Sequence, residues 1–436
     1  LEDTVKNTLF IPLLLSLTLF ITGCNQTANK DPIVLTINYP SYDLFYTKIG
    51  YAFEQKYPHI KIEVIEQKLD QSTETTSDII FMNSIKKYNE MAEQNLLAPL
   101  STFIQRDKES FQSISEIVTS SLTLNGGEIY GLAPTFTSSG LYYNIDLFQQ
   151  YNVALPRNQM TWSEVYELAN QFPNEQYDGS RLYGFTSSYY KEVPINLILR
   201  MGETEGLSYI DPQTNKITIN TSKWIETGKT VLNAIEKKSI FNESEEALGE
   251  YGEGPIITGQ SAMQIASYAT AINFELYNQH YQDAAPQWGV VTVPINPLTP
   301  EYSDSYRFDE IYGINALTQN KEAAWTFIKY IETDPDYYRN ILNVLWQYGI
   351  PANENYRGDV SEIDLSPLYT LLPQQESYNP YESINHEIIN AFKTEAQLVI
   401  DEYLNGLLTI EECFAKIEGN GQLVVDTAKR RLSTQQ

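Results

Sequence analysis

The spacing of apolar residues changes period several times along the chain, and each change marks an element. Ile33 to Ile37 (I-V-L-T-I) is a short, almost continuous apolar run, the pattern of a strand covered on both faces in a parallel sheet. Leu44, Phe45, Ile49, Ala52 and Phe53 then recur at helical spacing until Tyr57-Pro58 ends the helix, and Ile60, Ile62 and Val64 alternate as a second strand. Asp78 to Phe81 (D-I-I-F) reads as a third strand, followed by a helix through Tyr88, Met91 and Ala92 to Leu96. Alternation of strand and helix predicts an α/β lobe with a mostly parallel sheet and a ligand at the carboxyl ends of its strands.

Further along, Thr161 and Glu164 form a capping box for a helix whose Trp162, Val165, Tyr166, Ala169 and Phe172 share one face. Asp211 to Lys216 is a polar turn before the alternating Ile217 to Asn220, which predicts a hairpin. Gly289 to Val293 predicts another buried strand and Lys321 to Ile331 another helix. Trp162 and Trp325 fall on apolar helix faces and are assigned to the core. Near the end, Thr409 and Glu412 open a helix that carries Ile410, Cys413, Phe414 and Ile417 on one side.

The beginning of the chain follows another rule. Leu9 to Ile21 is an uncharged apolar run of 13 residues, shorter than the roughly 20 needed to cross a bilayer, and it reads as the core of a signal peptide. Ile21-Thr22-Gly23-Cys24 resembles the lipobox of bacterial lipoproteins. That resemblance implies cleavage after residue 23, lipid chains on Cys24, and a polar tether over residues 24–32 that holds the body off the membrane. Once Cys24 is lipidated, Cys413 is the only other cysteine and no intramolecular disulfide can form. Cys413 follows two glutamates, so it reads as a buried small apolar residue rather than a reactive thiolate.

Length and charge narrow the function. A chain of 436 residues is long enough for two globular units, and 56 acidic against 29 basic residues give a net charge of −27. Nucleic acid is a poor partner for such a surface. Sites for covalent chemistry do not assemble. His386-Glu387-Ile388-Ile389-Asn390 lacks the second histidine of a zinc helix, and Gly259-Gln260-Ser261-Ala262-Met263 lacks the last glycine of a nucleophile elbow. Gly249 to Gly254 has its glycines in the wrong order for a dinucleotide loop, and the glutamates from Glu243 to Glu253 lack the ligand ladder of a calcium loop. No metal and no cofactor is expected. Tyrosine is the anomaly, with 32 Tyr against 17 Phe and 5 Trp. A ring with a hydroxyl offers an apolar face and a hydrogen bond together, which suits a sugar, although most tyrosines simply straddle core and solvent.

Several blocks then appear in a telling order: F-E-Q-K-Y-P-H-I-K-I from Phe53, G-E-I-Y-G-L-A-P from Gly127, L-Y-Y-N-I-D-L-F from Leu141, T-W-S-E from Thr161, G-Q-S-A-M from Gly259, W-G-V-V-T-V-P from Trp288, and K-E-A-A-W-T-F-I-K-Y-I from Lys321. Their order resembles the extracellular solute-binding proteins of family 1, the sugar-type receptors of ABC importers. The resemblance implies a two-lobed α/β fold of the periplasmic-binding-protein type II, with a ligand cleft between lobes and hinge crossovers. It divides the chain into lobe one, residues 33–140 plus 289–332, and lobe two, residues 141–288 plus 333–436.

By the same resemblance the cleft takes Tyr39, Tyr42, Met82, Asn83, Thr137 and Ser138 from lobe one, and Tyr189, Tyr190 and Tyr268 from lobe two. Asp309, Glu310 and Tyr312 join from the loop before the last lobe-one strand, where acidic residues replace the family's glycine-rich pattern. The expected protein is a monomeric, lipid-anchored receptor on the outer face of a bacterial cell membrane. It hands an intact oligosaccharide to ABC permease subunits. Two alternatives stand beside it: the same fold holding a cationic small solute, suggested by the net charge with Asp309 and Glu310, and a secreted glycoside hydrolase using two carboxylates.

Overall fold

The computed structural model describes residues 32–66, 76–124, 126–187, 193–241, 254–282, 285–342, 349–358, 363–374, 381 and 383–434. The leader with Cys24, the pair Tyr189 and Tyr190, and the acidic run from Glu243 to Glu253 lie outside them. In chain order the strands are β1 (Ile33–Tyr39), β2 (Ile60–Glu66), β3 (Ile79–Met82), β4 (Gly131–Leu132), β5 (Thr135–Phe136), β6 (Ser139–Asn144), β7 (Met263–Ser267), β8 (Trp288–Thr292), β9 (Tyr302–Ser303), β10 (Ile311–Ile314), β11 (Ile350–Pro351) and β12 (Leu372–Pro373).

Five of these strands make a mixed sheet in the order β2-β1-β3-β10-β4. Strand β1 runs parallel to β2, in register from Ile33 opposite Ile60 to Tyr39 opposite Glu66, and parallel to β3. Strand β10 runs antiparallel to both β3 and β4. The expected βαβ unit is present, but its helix is not regular. Tyr42–Phe45 and Tyr51–Lys56 are α-helical, and the turn between them, Tyr46–Gly50, is a π-helix. That wide turn alters which residues face inward. Phe45, Ile49 and Phe53 are buried as the spacing predicts, whereas Leu44 faces solvent and Lys48 is buried.

The second sheet is the antiparallel trio β7-β6-β8. Alternate residues of these strands serve two cores, as the two-residue period of a strand demands. Leu141, Met263 and Val291 belong to one apolar cluster, and Tyr142, Trp288 and Val290 to the other. Strand β8 lies at the expected lobe boundary and serves both cores. The division at residue 289 sends it to lobe one, but it is hydrogen-bonded along its length to β6, from Gly140 opposite Thr292 to Asn144 opposite Trp288. An apolar run announces a buried strand without saying which sheet it joins; the chain returns to the first sheet only after β9. Similarly Tyr337, Tyr338, Ile341, Ile350 and Ala352, expected in lobe two, pack with the first sheet's core.

Helices share the core on one face of the second sheet. Trp162–Ala169 carries the capping box of Thr161 and Glu164, with Thr161 N–H donating to Glu164 Oε2 at 2.7 Å. His386–Leu404 and Ile410–Ser433, joined by a short connection, pack as a helical pair through Phe392, Val399, Ile400, Phe414 and Ile417. Cys413 is fully buried in that seam, and burial pushes its thiol up to about 12. Trp162 and Trp325 are core residues. The expected hairpin is short: Asp211 Oδ1 accepts from the amides of Gln213 and Thr214 to close the turn, and beyond it Ile210 and Ile217 form an antiparallel bridge, with the Thr218 amide donating to the Tyr209 carbonyl at 2.9 Å.

Candidate functional site

The carboxyl ends of β1, β2 and β3 lie along one edge of the first sheet. Strand β10 runs the other way, so it starts at that edge, with Ile311 opposite Met82. Five of the expected residues therefore come together there with Asp309: Tyr39, Met82, Asn83, Glu310 and Tyr312. Glu310 organises them. Its Oε1 accepts from the Tyr39 hydroxyl at 3.2 Å and its Oε2 from the Tyr312 hydroxyl at 3.3 Å. Oε2 also forms an ion pair with Lys48 Nζ. Lys48 is wholly enclosed, while Glu310 keeps 17% of its side chain exposed. Burial outweighs the attraction of Glu310 and holds the Lys48 ammonium below its ordinary value.

This arrangement revises the roles expected of the tyrosines. Tyr39 and Tyr312 are 2% and 0% exposed. The Tyr39 ring stands edge-on to Phe45 and Phe81 at 5.3 and 4.8 Å. Neither ring presents a face on which a solute could stack; their hydroxyls instead aim a carboxylate. Met82 is buried as well, and Asn83 is half-buried. Tyr42 is exposed, its amide donating to Glu66 Oε1 at 2.7 Å and its ring 4.6 Å from that of Tyr46. Asp309 is exposed and has no ion-pair partner among the described residues.

Thr137, Ser138 and Tyr268 assemble elsewhere, where the chain crosses between the sheets. Thr137 and Arg307 exchange backbone hydrogen bonds of 2.9 Å in both directions. The Ser138 hydroxyl donates to the Leu368 carbonyl, and the Ser138 carbonyl accepts from the Tyr268 amide at 3.1 Å. Burial, with Tyr369 nearby, pushes the Tyr268 hydroxyl up to about 12. Glycine is required here. A Cβ on Gly140 would sit 2.6 Å from Leu368, and Gly349 combines φ of +88° with a Cβ position 2.4 Å from the Phe136 carbonyl oxygen.

Arg357, which the sequence reading passed over, ties the crossovers together. Its guanidinium lies 4.6 Å from the centre of Tyr369 and 5.5 Å from that of Phe136. Nε donates to the Pro351 carbonyl at 3.0 Å, and Nη1 to Glu354 Oε1 at 3.2 Å. Lys48 was also missed. Its signal was a lysine three residues after Phe45 and next to Ile49, on a helix whose inward stripe should hold no charge.

Two other places are set aside. A surface cavity of about 500 Å³ lined by Ile33 and residues 316–323 opens at the amino end of β1, opposite the edge that holds Glu310. Ser261 is buried, accepts from Thr186 Oγ1 at 2.9 Å and donates to the Met263 carbonyl at 2.8 Å, so no elbow presents it to a substrate. Among the described residues no cluster of histidine, cysteine and carboxylates could hold a metal, and no helix is long and apolar enough to cross a membrane.

The fold has counterparts among known proteins. Residues 38–338 match the bacterial extracellular solute-binding protein family, and the chain belongs to that family. Among solved structures it resembles an extracellular solute-binding protein family 1 member from Alicyclobacillus acidocaldarius, at TM-score 0.65 and 13% identity, over 92% of this chain and 99% of that one. It also resembles an ABC substrate-binding protein from Listeria monocytogenes in complex with cycloalternan, at TM-score 0.55 and 18% identity, over 91% and 100%. A third is maltose-bound MalE3 of T. maritima, at TM-score 0.52 and 19% identity, over 90% and 100%. The fold is thus the two-lobed α/β architecture of periplasmic binding proteins of type II.

Proposed function

We propose that the protein is a receptor for a neutral carbohydrate, which it binds between its lobes without altering it and delivers to an ABC permease. The observation that carries this reading is the position of Glu310. An acceptor carboxylate is held by two tyrosine hydroxyls at the strand ends where α/β folds bind ligands. Sugar hydroxyls are donors that match such an acceptor. Relatives of the same fold hold cycloalternan and maltose, which supports a saccharide ligand. The crossover strands, tied by Thr137 with Arg307 and by Arg357 with Phe136 and Tyr369, serve as the hinge. Ligand favours the closed state by binding it better than the open one.

The proposal extends to the rest of the chain. Cys24 carries the lipid anchor on the outer face of the cell membrane, residues 24–32 tether the body, and the receptor works as a monomer without cofactor or covalent chemistry. Lobe one begins at residue 33, and the boundary near 289 moves past β8. A second reading is favoured by one observation, the exposure of Asp309 without an ion-pair partner among the described residues, which suits a cationic solute. Thermal-shift screening of the mature protein against neutral saccharides and small amines separates the two. The carbohydrate reading expects saccharide hits whose affinity barely changes between 50 mM and 500 mM salt; amine hits that weaken steeply with salt would replace it with the second reading.

A further inference from the structure

Lys48 occupies a costly place. A lysine is almost never fully enclosed unless paired, and this one is reached only because a π-turn directs it inward beneath the ligand edge of the first sheet. It cannot touch a solute. Its ammonium meets Glu310 Oε2 from the protein side, while the remaining exposed part of Glu310 faces outward. Tyr39 and Tyr312 hold the same carboxylate by their hydroxyls. The three donors leave acceptor capacity on a group that can accept about four hydrogen bonds.

We propose that Lys48 is a positioning residue that sets the charge preference of the cleft. By matching the charge of Glu310 from behind, it keeps the carboxylate as a hydrogen-bond acceptor for neutral hydroxyls and removes its attraction for cations. This deepens the carbohydrate reading and rests on it. An unmatched carboxylate at the same edge, with Asp309 beside it, would focus a negative potential on the cleft and draw in amines.

The test compares the full mature protein with Lys48→Met, which keeps the volume and removes the charge, and with the double variant Lys48→Met, Glu310→Gln. Binding of 1,4-diaminobutane, maltose and maltotriose is measured by calorimetry at low and high salt. The expected result is a gain of at least tenfold in diamine affinity for Lys48→Met over the unaltered protein, abolished by high salt and absent from the double variant. Any saccharide bound by the unaltered protein should bind Lys48→Met at least tenfold more weakly. A folded Lys48→Met protein with no gain for diamine overturns the inference; if the unaltered protein still binds saccharide, the carbohydrate reading survives that failure. An unaltered protein that takes the diamine as tightly as Lys48→Met does overturns both. Should Lys48→Met not fold, Lys48→Gln keeps a donor toward Oε2 without its charge and is judged by the same outcomes.

Discussion

Two carboxylates of the first lobe, Glu310 and Glu332, are solved by the fold in opposite ways. Glu310 stands at the ligand edge with an ammonium and two hydroxyls arranged around it. Glu332, at the end of the helix Lys321–Thr333, is 0% exposed, and neither of its side-chain oxygens has a hydrogen-bond partner among the described residues. Around it the Tyr338 hydroxyl and Asn353 Nδ2 are spent on its backbone carbonyl, at 3.2 and 3.3 Å. Burial alone pushes its carboxyl well above the ordinary range. The first carboxylate is matched and useful as an acceptor. The second is held as the neutral acid, because ionising it would strand a charge in apolar surroundings. Burial alone therefore does not mark a binding group; the donors that surround it do.

The largest effect is expected from removing one partner of the matched pair. Glu310→Gln strands the Lys48 ammonium in the core and should cost about 3–5 kcal/mol in urea unfolding. A cost below about 1 kcal/mol would mean that the two groups do not interact as an ion pair. Glu332→Met should do the opposite and stabilise, and its benefit should depend on pH. Below the unfolded-state value near 4.5 both states carry the proton and the acid costs nothing extra. Above it the unfolded chain releases the proton while the folded chain retains it, so stability falls by up to about 1.4 kcal/mol per pH unit until the folded group also ionises. Melting curves at pH 5 and pH 7.5 should show the variant's advantage growing with pH; an advantage that shrinks would reverse the assignment.

Arg357→Ala should cost about 2 kcal/mol, through loss of contact with Phe136 and Tyr369 and of the bonds to Pro351 and Glu354. Hydrogen exchange should then quicken at residues 350–358 more than in the helical pair of lobe two. Thr409→Ala removes one side of a capping box and should cost about 1 kcal/mol. Smallest in energy is the thiol of Cys413, which should react with a disulfide reagent only as fast as the protein unfolds; rapid labelling of the native state would contradict its burial.

Much of the fold was legible because apolar spacing reports burial directly. The strands at Ile33, Ile60 and Ile79, the capped helices after Thr161 and Thr409, and the buried Cys413 all follow from period and caps. The assignment of β8 was not legible, since a run such as G-V-V-T-V is the same in either sheet. The site was legible in part. The family resemblance picked Tyr39, Met82 and Asn83 after strands and Glu310 and Tyr312 before one, and these lie at one edge, but it did not say whether a ring faces inward or outward, which depends on neighbours distant in sequence. Thr137 and Ser138 were placed at the first crossover, where they lie, but their bonds to Arg307, Leu368 and Tyr268 join segments far apart in sequence and could not be read from it. Lys48 escaped because the π-turn shifts the helical phase that spacing assumes.

The proposed function depends on two lobes closing over an intact saccharide. Small-angle scattering of the mature protein, with and without the saccharide that most raises its melting temperature, tests it most directly. Binding should give a smaller radius of gyration, reversed when the sugar is dialysed away and recovered unchanged in mass. An envelope that stays the same at saturation, or a sugar recovered in cleaved form, would contradict it.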